Sequence, residues 1–336
     1  MLDQFLRPLK DLRISVTDRC NFRCTYCMPK EAFGANFTFL PHHELLTFEE
    51  LTRTVGIFSE LGVNKIRITG GEPLVRKDLP VLIEMIANVP GIVDIALTTN
   101  GSLLTKTYAR RLREVGLKRI SISLDALDED IFAAMNGVDF PVERVLEAID
   151  NASDAGLSPI KINMVVKRGL NDREILKMAE HFRHTPHVLR FIEFMDVGNH
   201  NGWQMKDVVT ATEVLSAIHA KWPIERLPEN RTGEVAKRYR YLDGAGEIGV
   251  IASVTNAFCM DCNRARLSSN GLLYTCLFAR AGSDLRELLR SHHTDEEITA
   301  WIQSIWTGRS DRYSQLRSEN TALSPDDKIE MHHIGG

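Results

Sequence analysis

Cysteine is scarce in this chain, with six in 336 residues, and none stands alone. Cys20, Cys24 and Cys27 form one group; Cys259, Cys262 and Cys276 form the other. So few cannot staple a chain of this length, and grouping of this kind reads as metal binding in a reducing compartment. Long apolar runs are also missing. Nothing approaches the roughly 18 uncharged residues of a membrane span. The opening "MLDQFLRPLKDLRISVTD" places charges every few residues and has no signal-peptide core. The expectation is a cytoplasmic protein with no membrane partner. Cationic excess is absent as well: 41 Lys+Arg against 45 Asp+Glu leaves a net charge of −4. No global field recruits nucleic acid, so any anion must be held by local arginines and lysines.

What is present is an ordinary globular balance, 43% hydrophobic and 26% charged, with a rhythm of short β-rich runs and amphipathic helical stretches. Strands are expected over 12–16, 65–69, 94–99, 119–124, 159–166 and 188–195. Helices are expected over 48–61, 78–89, 104–115, 142–155 and 172–184. The first follows Thr47 with Glu50 three residues on, a capping-box pattern, and Gly116 and Gly156 stand where C-terminal caps often do. Consecutive β–α units imply a parallel sheet. Periodicity alone suits a doubly wound sheet equally well. Polar and glycine residues gather where each strand finishes: Cys20 onward, Gly70-Gly71-Glu72-Pro73, Thr98 to Gly101, Ser123 with Asp125, Lys161 with Asn163, and Glu193. That is the C-terminal rim at which α/β barrels build their sites, so an α/β partial (βα)6 TIM-like barrel is the better reading. After about residue 200 the alternation fades into an α+β extension. A helix is expected over 211–221, a hairpin within 235–254, a Ser269-Asn270-Gly271 turn, helices over 284–292 and 295–307, and a polar tail "MHHIGG". The domains expected are therefore 1–200 and 201–336.

The first cysteine group, "DRCNFRCTYCMP", has the spacing C-x3-C-x2-C. Three thiolates on one loop can hold three irons of a [4Fe–4S] cluster and leave the fourth without a protein ligand. The alternative is zinc completed by His42 or His43, although zinc sites usually pair C-x2-C units. The loop, with Tyr26 just before its last cysteine, resembles the signature of the radical S-adenosylmethionine (SAM) superfamily, and Gly70-Gly71-Glu72-Pro73 resembles that family's "GGEP" motif. The resemblance implies that SAM chelates the open iron and that its reductive cleavage releases a 5′-deoxyadenosyl radical.

The second group, "FCMDCNRARLSSNGLLYTC", spaces its cysteines C-x2-C-x13-C, again one ligand short. Zinc with an unseen ligand is the alternative; Asp261 lies inside the loop, and His292 and His293 lie well beyond Cys276. With "RITGGEPLVRKD", "TTNG", "SISLDAL", "KINMVV", "RFIEFM" and the terminal Gly-Gly, the chain resembles the GTP 3′,8-cyclases of molybdenum cofactor biosynthesis over nearly its whole length. That resemblance implies two [4Fe–4S] clusters at opposite ends of one cavity, the second on Cys259, Cys262 and Cys276 and facing the guanine of GTP. It implies that Tyr26, Gly71, Ser123 and Met195 contact SAM, and that Arg13, Arg67, Thr98, Lys161, Arg264 and Arg266 contact GTP. Arg264, Arg266, Gly335 and Gly336 form the expected catalytic set, the glycine tail entering the active site. The implied reaction abstracts the ribose C3′ hydrogen and closes C3′ onto C8. The implied partners are an electron donor such as flavodoxin or ferredoxin and the next enzyme, cyclic pyranopterin monophosphate synthase. A monomer or homodimer is expected. A peptide-modifying radical SAM enzyme would usually carry more C-terminal cysteines, and a non-catalytic iron–sulfur or zinc module has no need of the glycine motif.

Overall fold

The computed structural model describes residues 1–229, 233–317 and 328–335. Six parallel strands alternate with helices: β1 (Asp11–Ser15), α1 (Phe48–Glu60), β2 (Lys65–Thr69), α2 (Leu79–Ala87), β3 (Asp94–Thr99), α3 (Lys106–Glu114), β4 (Arg119–Ser123), α4 (Glu129–Asn136), α5 (Val142–Asp154), β5 (Lys161–Val166), α6 (Ile175–Phe182) and β6 (Val188–Glu193). The capping box before α1 forms: Glu50 N–H donates to Thr47 Oγ1 at 3.2 Å, and Thr47 N–H to the Glu50 carboxylate at 2.7 Å. Leu51, Val55 and Phe58 then face inward, each contributing about 1.5–3 kcal/mol by burial.

Two departures from expectation matter. The 172–184 helix is a 3-10 turn, Asp172–Glu174, followed by α6. The β4–β5 connection carries an additional helix, α4. Asp128 caps it by accepting from Ile131 N–H at 3.1 Å, and Gly137 ends it.

The strands show why a barrel forms. Leu12 and Ile14, Ile66 and Ile68, Ile120 and Ile122, and Leu189 and Phe191 enter the hydrophobic core shared with the helices. The intervening positions, Arg13, Arg67, Ser121, Lys161 and Arg190, line an interior cavity. Period-2 alternation therefore places apolar residues outward and charged ones in the lumen.

The extension comprises α7 (Ala211–Lys221), β7 (Ile224–Arg226), β8 (Lys237–Tyr241), β9 (Glu247–Ile251), β10 (Arg264–Leu267), β11 (Leu272–Tyr274), β12 (Ser283–Asp284), α8 (Leu285–Arg290), α9 (Asp295–Thr307), α10 (Tyr313–Leu316) and α11 (Met331–Ile334). It does not pack as a separate sheet. All twelve strands join in the order β12-β11-β10-β1-β2-β3-β4-β5-β6-β9-β8-β7. β10 runs parallel to β1 and β9 parallel to β6, so the extension lengthens the barrel wall at both edges. Among the described residues no ladder joins β9 to β10; the barrel is partial.

Glu193 ties the two halves together. Its carboxylate accepts from Ala211 N–H at 2.8 Å, Val254 N–H at 2.7 Å and Thr255 N–H at 2.9 Å. This rim carboxylate is spent on backbone donors. The tail is less polar in place than in sequence, since α11 buries His332 and Ile334. No helix among the described residues is long and apolar enough to cross a membrane.

Candidate active site

Two cavities share the lumen. The smaller, about 190 Å³, lies at the C-terminal rim and is lined by Cys20, Cys24 and Cys27 with Tyr26, Gly71, Ser123 and Met195. The larger, about 680 Å³, is lined by Cys259, Cys262 and Cys276 with Arg13, Arg67, Thr98, Lys161, Arg264 and Arg266. Thr98, Asn163, Ile192, Met195 and Met331 line both, so the cavities adjoin at a neck. Every cavity residue expected from sequence falls in its expected group.

The first cysteine loop is held by backbone from two sides. Arg23 N–H donates to Asn136 O at 2.8 Å and Thr25 N–H to Met135 O at 3.0 Å, so the end of α4 supports it. On the other side Gly71 N–H donates to Thr17 O at 2.8 Å. A Cβ on Gly71 would lie 2.3 Å from Arg19 O, so only glycine lets the GGEP loop approach the cysteine loop this closely. Glu72 accepts from Leu74 N–H, Thr99 Oγ1 and Asn100 N–H at 2.6–3.0 Å. Tyr26 donates its hydroxyl to Asp125 Oδ2 at 2.9 Å, and Asp125 also accepts from Val165 N–H at 2.8 Å.

Burial, then Glu72, pushes the Cys20 thiol up to about 12. Burial followed by Asp125 raises Cys24, and burial followed by Cys20 raises Cys27. Buried thiolates so disfavoured need a cationic group among them to ionise. In the second site, burial would raise Cys262, but the Arg264 and Arg309 guanidiniums outweigh it and bring the thiol down to about 6. Arg264 Nη2 lies 3.4 Å from Cys262 Sγ and stacks over the Phe258 ring at 5.3 Å. Cys276 is pushed up to about 12 by burial and by Asp311.

Among the described residues no three His, Cys, Asp or Glu side chains converge closely enough to share one ion. His42, His43, Asp261, His292 and His293 are all exposed. Among the described residues, none of the fourth ligands considered for a tetrahedral zinc site is buried beside either cysteine group. Three thiols lining each cavity match the count of protein ligands on a cluster that leaves one iron open.

The cations have a definite arrangement. Arg266 is registered opposite Arg13, and Arg13 opposite Arg67, so three arginines stand side by side across β10, β1 and β2. Like charges on neighbouring strands repel, and here they are buried. Burial, then Arg266, Arg264 and Arg67, drives the Arg13 guanidinium well below its usual range. Burial and Arg264 bring Arg266 to about 10. Burial, then Arg190, Arg119, Arg67 and Lys65, brings Lys161 down to about 6. Arg13 Nε and Asn163 Oδ1 are buried with no hydrogen-bond partner among the described residues, while Arg67 Nη1 donates to Thr98 Oγ1 at 3.1 Å. Asp11, paired with Lys65 at 2.7 Å, offsets part of this charge, and the positive charge left on the cavity suits an anion of several charges. Arg190, on β6, lines the same cavity but was not expected from sequence, although its place between two buried apolar residues, Leu189 and Phe191, is the same signal that marks Arg13 and Arg67.

The tail reaches this site. Arg266 Nη1 donates to the carbonyl of Gly335, and Met331 lies at the neck. Gly336 lies outside the described residues.

A three-thiol loop braced by a GGEP loop at the rim of an open parallel barrel defines a radical SAM protein. The Radical SAM superfamily model matches residues 14–182, and the Molybdenum Cofactor Synthesis C model matches 187–315. The GTP 3′,8-cyclase of Acidothermus cellulolyticus is 51% identical across 99% of this chain and 98% of its own. That of Staphylococcus aureus strain MRSA252 is 49% identical over the same shares. Among solved structures, Streptococcus suis SuiB bound to S-adenosylmethionine aligns with a TM-score of 0.60 at 15% identity, covering 97% of this chain and 77% of that one; it bears out the fold. The chain belongs to the GTP 3′,8-cyclase family.

Proposed function

We propose that this chain converts GTP to 3′,8-cyclo-7,8-dihydro-GTP, an early step of molybdenum cofactor biosynthesis, and that it does so in the cytoplasm. The observation that carries this reading is the buried arginine row on the same cavity as the second thiol group. A polyphosphate relieves the repulsion within the row, and the thiols face its other end.

Cys20, Cys24 and Cys27 would hold one [4Fe–4S] cluster, and Cys259, Cys262 and Cys276 a second. With SAM bound at the first and an electron delivered, these cofactors supply the hydrogen-abstracting radical. Tyr26, Gly71, Ser123 and Met195 shape the SAM pocket. Arg13, Arg67, Lys161 and Arg266 clamp the triphosphate, arginine as a planar fork and lysine as a point charge. Arg264, between Cys262 and the cavity, orients the base. Thr98 and Asn163 present polar atoms at the neck, where the ribose would meet the SAM side, while Ile192, Met195 and Met331 exclude water there. Arg266 holds the tail through Gly335, the residue before Gly336. Positioning and water exclusion are the protein's share of the catalysis.

The division of labour runs along the chain: residues 1–200 carry SAM chemistry, and 201–336 carry the second cluster and close the larger cavity. An electron donor such as flavodoxin or ferredoxin supplies the reductant, and cyclic pyranopterin monophosphate synthase consumes the product. The chain works as a monomer or homodimer.

Anaerobic reconstitution with iron and sulfide, followed by SAM, dithionite and GTP, tests the assignment. 5′-Deoxyadenosine and the cyclised nucleotide should appear together. No 5′-deoxyadenosine would end the radical reading; 5′-deoxyadenosine without a GTP-derived product would end the substrate assignment.

Lys161 gives a pH prediction. At neutral pH it is largely neutral in the free protein, and a bound triphosphate favours its protonation. GTP binding therefore takes up a proton, and affinity falls as pH rises above about 6 until the raised, bound-state pKa is passed. The slope is at most about tenfold per pH unit. Calorimetry above pH 7, where a terminal phosphate is already ionised, in buffers of different ionisation enthalpy should show the uptake. Lys161→Met should abolish it; equal uptake in that variant assigns the proton elsewhere.

A further inference from the structure

Beside the cysteines and cations already described, a buried polar cluster surrounds the second cysteine loop, and Arg7, Arg309, Asp311 and Thr275 of this cluster also line the larger cavity. The loop around the 3-10 turn Cys259–Asp261 has no sheet partner before β10 begins, and its internal Cys262 N–H to Cys259 O contact is long, at 3.3 Å. Two buried arginines from distant parts of the chain hold it instead. Arg7 Nη1 donates to Cys259 O at 2.7 Å and to Asp311 O at 2.7 Å. Arg309 Nη1 donates to Cys262 O at 2.7 Å.

One carboxylate joins the arginines. Asp3 Oδ2 accepts from Arg7 Nε at 2.6 Å and from Arg309 Nη1 at 3.3 Å, and all three side chains are at most 1% exposed. Asp311 extends the network, accepting from Arg309 Nε at 3.3 Å and from Thr275 Oγ1 at 2.5 Å. Thr275 directly precedes Cys276. The network thus reaches the backbone of two cysteines and the neighbour of the third. Trp306 fixes it from behind, donating Nε1–H to Arg7 O at 3.2 Å and lying under the Arg309 guanidinium at 4.6 Å.

Burying such a charged group is costly, and an apolar cluster of similar volume often stabilises a fold as well or better. Its geometry is therefore better explained by what it holds than by stability. We propose that Arg7, Asp3 and Arg309 are positioning residues for the second cluster, fixing the loop that carries Cys259 and Cys262 and, through Asp311 and Thr275, the approach to Cys276, and setting the charge around the three thiols; this rests on the reading of Cys259, Cys262 and Cys276 as a cluster site. Partners behind a metal's ligands typically alter affinity by about 10–100-fold when removed, and net charge around an iron–sulfur cluster shifts its potential.

The test uses the full chain with Cys20, Cys24 and Cys27 changed to Ala, so that any iron–sulfur signal belongs to the second group. Absence of that signal in this parent defeats the cluster reading itself. Given the signal, Arg309→Gln should lose its cluster to a chelator roughly tenfold faster and show a more negative midpoint potential, because a positive charge has gone. Arg309→Lys should restore the potential but only part of the retention, since an ammonium lacks the fork that reaches Asp3, Asp311 and Cys262 together. Unchanged retention and potential in Arg309→Gln overturn the proposal. Faster loss with unchanged potential also overturns it, because general loosening of the fold produces that pattern. Should Arg309→Gln fail to fold, Arg309→Lys and Thr275→Val carry the same comparison: faster cluster loss in both with an unchanged thermal unfolding midpoint supports the proposal, and wild-type retention in either, or loss matched by a lowered midpoint, overturns it.

Discussion

Cys276→Ser is expected to leave SAM cleavage running while abolishing cyclisation of GTP. The serine is nearly isosteric, so the turn after β11 should persist; Phe278 N–H, which lies 3.5 Å from Cys276 Sγ, can donate to the hydroxyl instead. What disappears is a thiolate ligand of the second site. Cys20, Cys24 and Cys27 line a separate cavity, so roughly half the iron should remain and 5′-deoxyadenosine should still form with SAM and reductant. Arg13, Arg67 and Lys161 still offer their charge to the triphosphate, so GTP binding should weaken rather than vanish. Product, however, should fall by about 100-fold or more, because a base no longer held at the thiol end misplaces the ribose at the neck, and small misplacements are costly at a reacting centre. Cys24→Ser is the contrasting variant and should lose 5′-deoxyadenosine and product together. Iron analysis and chromatography of both products separate the outcomes. Normal cyclisation by Cys276→Ser would show that the second thiol group is not part of the catalytic machinery.

The grouping of the cysteines was legible in the sequence in part because spacing is local: C-x3-C-x2-C lies within eight residues, whereas Cys276 is brought back toward Cys259 and Cys262 by the antiparallel pairing of β10 and β11. The barrel was legible for a similar reason, since six apolar runs keep a two-residue period and their helices carry caps at Thr47 and beyond. The lumen was harder to read. Attention to polar residues at strand ends found the smaller cavity, but Glu193 proved to be a backbone tether, and the cations of the larger cavity lie within strands. Arg13, Arg67, Arg190 and Arg266 occupy inward positions between buried aliphatics, a pattern that makes sense only if the barrel interior is wet and charged. Read that way, Arg190 could have been found. α4 was missed because eight residues carry barely two turns of periodicity, although Asp128 and Gly137 mark both its ends. The pairing of β9 with β6 and β10 with β1, and the network of Asp3, Arg7 and Arg309, join residues up to 306 apart in sequence. Neither leaves a local trace; only the folded chain brings them together.

Gly335→Ala should uncouple the enzyme in the same sense as Cys276→Ser but from a different cause, with the cysteine groups intact and the tail displaced. Gly335 has φ 72° and ψ 123°, a conformation that costs a residue with a side chain about 1–3 kcal/mol. An added Cβ would also lie 2.1 Å from Thr69 Cγ2, at the end of β2. Thr69 lines the smaller cavity, is buried and is held in the β1–β2 ladder, so the tail moves rather than the strand. Moving it breaks the Arg266 to Gly335 carbonyl hydrogen bond and draws Met331 from the neck, opening the larger cavity to water. With about 2–3 kcal/mol lost from the docked tail, product formation should fall roughly 30–150-fold, while 5′-deoxyadenosine continues to form without matching product. Thr69→Ser, which removes only Cγ2, discriminates steric conflict from other causes. The remaining contacts of the new Cβ, 3.2 Å to Thr69 Oγ1 and 3.3 Å to its Cβ, are tight but can be relieved by a small shift. The double variant should therefore recover part of the lost coupling, the backbone strain accounting for the rest. Equal coupling losses in Gly335→Ala with and without Thr69→Ser would mean that the tail does not dock against β2 during turnover.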